Sequence, residues 1–174
     1  MPFYSQEAAQ ALVLPTTPKL IDPWLTTGSM NLVFGPPSAG KTMWTDTVAR
    51  AVASGAMLFG AYPCAASRVC IIQADMPTVT VVERLQACAA PPSPNIGLWL
   101  TDNAPLDVLN LGQAHREVVA AVRGFDPALI FVDTLRKTHH LDENESSAPD
   151  RVYNAWRTLF PSATFVFLHH SRKV

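Results

Sequence analysis

The stretch that decides the fold of this chain reads Gly35-Pro36-Pro37-Ser38-Ala39-Gly40-Lys41-Thr42. It follows the phosphate-binding loop pattern, in which a glycine, four further residues and a second glycine precede a lysine and a hydroxyl residue. Backbone N–H groups of such a loop surround phosphate oxygens, the lysine binds the outer phosphates, and the hydroxyl binds Mg²⁺. The following helix turns its positive dipole end toward the same anion.

The residues on either side of the loop favour a phosphate-binding site. The alternative is a Gly/Pro-rich turn that only joins a strand to a helix. An apolar run at residues 31–34 is typical of a buried strand, and residues 43–53 contain no glycine or proline, as expected of a helix. We therefore predict a site for a nucleotide, taken as ATP by analogy, and Mg²⁺. The predicted nucleotide-binding residues are Gly35, Pro36, Pro37, Ser38, Ala39, Gly40, Lys41, Thr42 and Met43.

Length and composition limit the class of protein. The chain has 174 residues, enough for one domain with a sizeable core, and its net charge of −1 gives no overall electrostatic signature of nucleic-acid binding. No apolar run reaches the ~20 residues that a membrane span needs, and the N-terminus lacks the basic start of a secretory signal. We therefore expect a cytoplasmic protein without a membrane partner. Three cysteines argue against a disulfide framework.

Hydrophobic patterning predicts an α/β protein with a mainly parallel five-stranded sheet and helices on both faces. Residues 1–22 are expected to form an N-terminal arm with a short helix at residues 6–13, and residues 136–147 a polar loop. The predicted strands are 30–34, 68–73, 96–100, 128–132 and 164–168. The predicted helices are 41–53, 78–89, 111–123 and 149–160.

Ligands of such sheets bind beyond the carboxyl ends of the strands, so polar residues there are candidate site residues. Asp133 follows an apolar strand and fits the Walker B role of holding Mg²⁺, although a turn or helix-cap aspartate is the alternative. Asp75 ends another strand and is a candidate to orient and deprotonate water, or else an N-cap before Pro77.

The last predicted strand ends in two histidines, His169 and His170. Either side chain is a candidate to contact the γ-phosphate. The sequence favours equally the alternative that both are ordinary histidines at a strand end without a role in binding. Arg172 and Lys173 follow them, as phosphate contacts or as a solvated tail. Trp24 lies near the adenine or covers the arm; the sequence leaves this open.

Several blocks around the motif resemble RecA-like ATPases of the RepA hexameric helicase group of plasmids and phages. They occur in order over residues 23–173 and read Pro23-Trp24-Leu25, Gly28-Ser29-Met30-Asn31-Leu32-Val33-Phe34-Gly35-Pro36-Pro37, Ala53-Ser54-Gly55, Leu58-Phe59-Gly60, Val132-Asp133-Thr134-Leu135-Arg136, Asp142-Glu143-Asn144 and Phe167-Leu168-His169-His170-Ser171-Arg172-Lys173.

The resemblance implies a RecA-like P-loop NTPase core over residues 23–174, with the strand that ends at the histidines between the P-loop strand and the Walker B strand. It also implies Mg²⁺-dependent ATP hydrolysis at the subunit interfaces of a hexameric ring, and single-stranded DNA as a partner. In that setting Lys41 contacts phosphate, Thr42 and Asp133 hold Mg²⁺, and Asp75 polarises water. A plasmid or phage protein of this kind works in the cytoplasm of a bacterial host.

The chain departs from this family in two respects. The family usually has glutamate where this chain has Asp75, which is one methylene shorter. Family members also continue past the sensor strand to an arginine finger, so we expect a core truncated there and weak hydrolysis by this chain. The alternative is a nucleotide-binding regulatory or assembly module that partners a full-length helicase. A small P-loop kinase is disfavoured because no arginine-rich lid segment is present.

Overall fold

The computed structural model describes residues 3–13, 16–101, 106–141 and 148–170. The elements in chain order are α1 (Gln6–Gln10), β1 (Lys19–Ile21), β2 (Leu25–Thr26), β3 (Met30–Gly35), α2 (Lys41–Ser54), β4 (Val69–Gln73), α3 (Thr78–Ala87), β5 (Ile96–Leu100), α4 (Gln113–Phe125), β6 (Leu129–Asp133), a short 3₁₀ helix (Leu135–Thr138), α5 (Ala148–Leu159) and β7 (Thr164–His170). None of the described helices combines the length and hydropathy needed to cross a membrane.

Five strands form a wholly parallel sheet in the order β3-β7-β6-β4-β5. The predicted α/β fold is confirmed, and β7 lies between the P-loop strand β3 and the strand β6 that ends at Asp133, as the resemblance implied. Parallel pairing aligns the carboxyl ends of all the strands at one edge of the sheet. That edge carries the predicted site residues.

Each face of the sheet has its own apolar core, because successive strand residues point to opposite faces. One core joins the sheet to α4 and α5 through Val119, Val122 and Trp156, among others. The opposite core joins it to α2 and the β1–β2 hairpin through Val48, Val52 and Leu25, among others. All five residues of β4 and of β6 are buried, as expected for central strands covered on both faces.

The β1–β2 hairpin, whose two strands are antiparallel, was not predicted from the sequence. Leu20, Ile21 and Leu25 are buried against the α2 side of the sheet. These strands, of three and two residues and separated by Pro23, are too short to show a recognisable alternation of apolar and polar residues. The predicted helix at residues 6–13 is shorter, Gln6–Gln10, and begins at Ser5, whose hydroxyl accepts a hydrogen bond from the N–H of Ala8.

Replacing Phe167 by alanine tests the core beneath α5. This fully buried ring lies 5.1 Å from the Tyr153 ring and 5.3 Å from the Phe165 ring, measured between centroids. We expect Phe167→Ala to lower the free energy of unfolding by about 3–5 kcal/mol, the usual cost of such a cavity. Phe34→Ala, on an edge strand and 71% exposed, should change it by less than about 0.5 kcal/mol. Urea unfolding followed by circular dichroism measures both, and equal losses would contradict this core.

Candidate active site

The phosphate-binding motif forms a loop between β3, which ends at Gly35, and α2, which begins at Lys41. Gly40, the residue before the helix, has a φ of 82°, in the left-handed region that favours glycine. Ser38 also has a positive φ, of 63°. The loop therefore has the strand–loop–helix context that the motif requires, and it leads into the N-terminus of α2.

Lys41 lies between its own loop and strand β7. Its ammonium donates to the carbonyl oxygens of Gly35, at 2.9 Å, and Pro36, at 2.8 Å. The same nitrogen is 3.2 Å from Nδ1 of His170. Because an ammonium has only donors, Nδ1 must accept this hydrogen bond, which places the proton of a neutral imidazole on Nε2.

Thr42 and Asp133, the predicted Mg²⁺ ligands, are in direct contact. The Thr42 hydroxyl donates to Oδ2 of Asp133 at 2.9 Å, and the side-chain amide of Gln73 donates to the same oxygen at 3.2 Å. Asp133 is only 4% exposed, so the two donors offset part of the cost of burying its charge. Asp133 does not cap the 3₁₀ helix that follows, whose N-cap is Thr134.

Asp75 and His170 meet at the same edge of the sheet. His170 Nε2 is 3.4 Å from Oδ2 of Asp75, and both side chains are a little over one third exposed. His170 thus lies between the carboxylate of Asp75 and the ammonium of Lys41. Helix α3 has Pro77 at its N-cap and no side-chain cap bond, so the alternative of Asp75 as an N-cap is wrong.

The alternation of strand residues explains why His170, rather than His169, reaches Lys41. On β7, Val166 and Leu168 belong to the core on the α2 side, and His170 continues that face. His169 follows Phe165 and Phe167 on the opposite face, toward α4 and α5. Gln73 was not among the predicted site residues, although the same alternation, after Val69 and Ile71, places it on the α2 side of the sheet.

Other residues singled out in the sequence lie apart from this cluster or outside the described part of the chain. The described part of the chain does not include Arg172 and Lys173, nor residues 142–147 of the predicted polar loop. The Trp24 ring, 41% exposed, lies 6.5 Å from the Trp44 ring on α2 and 6.2 Å from the Tyr62 ring in the segment between α2 and β4, measured between centroids. No group of three potential metal-ligating side chains of His, Cys, Asp or Glu occurs among the described residues.

The residues present nevertheless fit Mg²⁺. This ion takes oxygen ligands, commonly one or two protein groups together with water and substrate phosphates, rather than a complete protein cage. Asp133 and Thr42 supply a buried carboxylate and a hydroxyl side by side at the start of α2. They are the residues that would hold the ion next to the loop.

A parallel sheet with this strand order and a phosphate-binding loop at its carboxyl edge defines a RecA-like P-loop ATPase. Comparison with known families agrees: residues 3–174 match the AAA domain family, and the chain belongs to it. No curated protein matches the chain significantly.

Solved structures support the fold. Among those that match, the chain is similar to the KaiC-like protein PH0186 from the hyperthermophilic archaeon Pyrococcus horikoshii OT3, with a TM-score of 0.59 and 12% sequence identity. The match covers 87% of this chain and 65% of that protein. The likeness at this identity concerns the fold, and this chain spans less than two thirds of that protein's length.

Asp46 gives a prediction for pH dependence. It is half-buried on α2, and burial raises the pKa of its carboxyl above the ordinary value of 3.8; Arg50 and Arg84 lower this pKa and Asp133 raises it. Because the pKa is higher in the folded state, ionisation of Asp46 weakens folding at neutral pH. Asp46→Asn should therefore be more stable than the wild type at pH 7 without Mg²⁺.

This advantage should shrink as the pH falls through the folded pKa and vanish below about 3.8, where Asp46 is protonated in both states. Urea midpoints between pH 3 and pH 8 measure it. Glu83→Gln, which neutralises an exposed carboxylate on α3, serves as the control. An Asp46→Asn advantage that grows toward low pH would contradict the sign.

Proposed function

We propose that this chain carries out Mg²⁺-dependent ATP binding and hydrolysis in a DNA helicase of the RepA or DnaB type, or in a related replication or recombination ATPase of a phage or plasmid. The observation that carries this proposal is that two sets of contacts, Thr42–Asp133 and Lys41–His170–Asp75, lie where the start of α2 meets the carboxyl edge of the sheet. A phosphate-binding lysine, a metal-side carboxylate and a second carboxylate together are what hydrolysis of a phosphoanhydride needs.

Each group has a separate role in this proposal. Lys41 binds the β- and γ-phosphates, exchanging its loop carbonyl partners for phosphate oxygens. Asp75 accepts a proton from the attacking water, and His170, which contacts both Asp75 and Lys41, senses whether the γ-phosphate is present. Mg²⁺, when bound beside Thr42 and Asp133, offsets the negative charge of the phosphates.

The DNA-related part of the proposal is supported by the sequence blocks over residues 23–173 that resemble RepA-type helicases, and by the order of the strands in the sheet. Residues 136–147 were predicted to be a polar loop, but the chain after β6 first forms the 3₁₀ helix Leu135–Thr138. This helix carries the exposed residues Arg136 and Lys137 at the same carboxyl edge as the candidate nucleotide site. Cations there suit contact with a phosphate backbone. Assembly into a ring would bring this edge of one subunit toward the next.

The second candidate is a nucleotide-binding regulatory or assembly module of a full-length helicase, with little turnover of its own. The observation that favours it is the short side chain at position 75, whose Oδ2 already lies 3.4 Å from His170. A carboxylate held there reaches less far toward an attacking water than glutamate would. Hydrolysis measurements separate the two candidates.

Replacing Lys41 tests the nucleotide site. Lys41→Ala removes a cation that binds phosphate, a charge-assisted contact worth about 2 kcal/mol or more, so the affinity for ATP should fall at least ~30-fold. Isothermal titration calorimetry with Mg²⁺ and a slowly hydrolysed ATP analogue measures this. Lys19→Ala, on the β1–β2 hairpin, is the control and should bind as the wild type does. Unchanged affinity of Lys41→Ala would refute the site.

Replacing Asp75 tests turnover. Loss of a general base lowers rates by ~10²–10⁴-fold, so Asp75→Asn should slow single-turnover release of phosphate while ATP affinity stays within about threefold. The assay is run with and without single-stranded DNA, and Asp150→Asn, an exposed acid on α5, is the control. Stimulation of the wild type by DNA supports the helicase-type ATPase. Wild-type hydrolysis no faster than that of Asp75→Asn, with or without DNA, favours the inert module.

A further inference from the structure

Gln73 is a buried amide at the centre of the candidate site. It is the last residue of β4, is 3% exposed, and is the direct register partner of Asp133 on the neighbouring strand β6. Both side chains continue the α2 face of their strands, after Ile71 on β4 and Phe131 on β6. A neutral amide therefore lies beside the metal-side carboxylate at the point where the chain leaves the sheet toward Asp75.

The two ends of this amide have different partners. Its Nε2 donates to Oδ2 of Asp133 at 3.2 Å, and its Oε1 accepts from the backbone N–H of Asp75 at 3.1 Å. A carboxylate can only accept and a backbone N–H can only donate, so these partners fix the orientation of the amide. Glutamine supplies both functions in one side chain, which neither glutamate at neutral pH nor an aliphatic residue of similar length does.

The same segment is tied to β6 a second time. The backbone N–H of Ala74 donates to the carbonyl oxygen of Asp133 at 2.6 Å. Oδ2 of Asp133 also accepts from Thr42, so three elements, β4, β6 and α2, restrain one carboxylate. Rotation of that carboxylate and displacement of the backbone at Asp75 are therefore linked through Gln73.

We infer that Gln73 is a positioning residue. Its amide N–H holds the Asp133 carboxylate in the orientation that Mg²⁺ binding needs, and its amide oxygen holds the backbone N–H of Asp75 in place. This inference rests on the proposed function, because it assigns Gln73 to the same Mg²⁺–nucleotide site. The proposed role differs from the ordinary role of a buried amide, which is to form hydrogen bonds with neighbouring polar groups that would otherwise lack a partner. A buried amide with only that role affects folding stability but leaves the Mg²⁺ requirement of nucleotide binding unchanged.

The test uses Gln73→Met, which keeps the length of the side chain and removes both hydrogen bonds. Gln113→Met is the matched control, because Gln113 is an exposed glutamine on α4 that contacts Glu117. A fluorescent ATP analogue is titrated first in EDTA and then, at fixed concentration, with MgCl₂. The two readouts are the affinity without metal and the Mg²⁺ concentration that gives half of the metal-dependent gain in binding.

We expect Gln73→Met to bind the analogue in EDTA within about twofold of the wild type and to need about 10–100-fold more Mg²⁺, the usual effect of removing a group that orients a metal ligand. Gln113→Met should match the wild type in both readouts. An unchanged Mg²⁺ midpoint in Gln73→Met, alongside Mg²⁺-dependent binding by the wild type, would overturn the inference alone. Absence of Mg²⁺-dependent binding in the wild type would overturn the proposed function as well.

A second measurement needs no variant and so does not depend on whether Gln73→Met folds. Hydrogen exchange of the Asp75 backbone amide, followed by NMR on the wild-type chain, reports the bond to Oε1 of Gln73. We expect exchange at least ~10-fold slower than in an unfolded chain, because a hydrogen-bonded amide exchanges only when that bond opens. Exchange at the unfolded rate would overturn the inference directly.

Discussion

The buried carboxylate of Asp133 is the constraint on which the site depends. An ionised carboxylate withdrawn from water is costly unless it is hydrogen-bonded or paired with a cation. Here one oxygen accepts from the Thr42 hydroxyl and from the Gln73 amide. These bonds link the first turn of α2 to the ends of β4 and β6, so the hydrogen bonds of one buried carboxylate also restrain the phosphate loop relative to the strand ends.

Parallel pairing supplies the rest of the arrangement. In register, Gln73 lies opposite Asp133, and Gly35 lies opposite His170. Residues at the carboxyl ends of β3, β4, β6 and β7 therefore meet along one edge, and alternation selects those on the α2 face. The P-loop lysine lies within hydrogen-bond distance of His170, which in turn contacts Asp75. Four separate segments of the chain thus form one cluster at the carboxyl edge of the sheet.

Much of this arrangement was predictable from the sequence, because the phosphate loop and the apolar strands are strong local signals. The loop at residues 35–42, the acid Asp133 at the end of β6 and the acid Asp75 just beyond β4 follow from sequence patterns that persist in the fold. The position of β7 between β3 and β6 was implied by the family resemblance and is confirmed by the strand order. The choice between His169 and His170 was also available, since alternation along β7 puts only His170 on the α2 face. What could not be predicted depends on tertiary contacts: the β1–β2 hairpin is too short to show a period, and Gln73 acquires its role only from its partner strand.

A crystal structure of the wild-type chain with Mg²⁺ and a non-hydrolysable ATP analogue would test directly whether Lys41, Thr42, Asp75, Asp133 and His170 surround one nucleotide. We predict that the triphosphate lies along residues 35–42 with the Lys41 ammonium on its outer phosphates, and that Mg²⁺ lies next to Thr42 and Asp133. The terminal phosphate should lie near Asp75 and His170. A nucleotide bound elsewhere, or bound at the loop with its terminal phosphate directed away from these residues, would contradict this prediction.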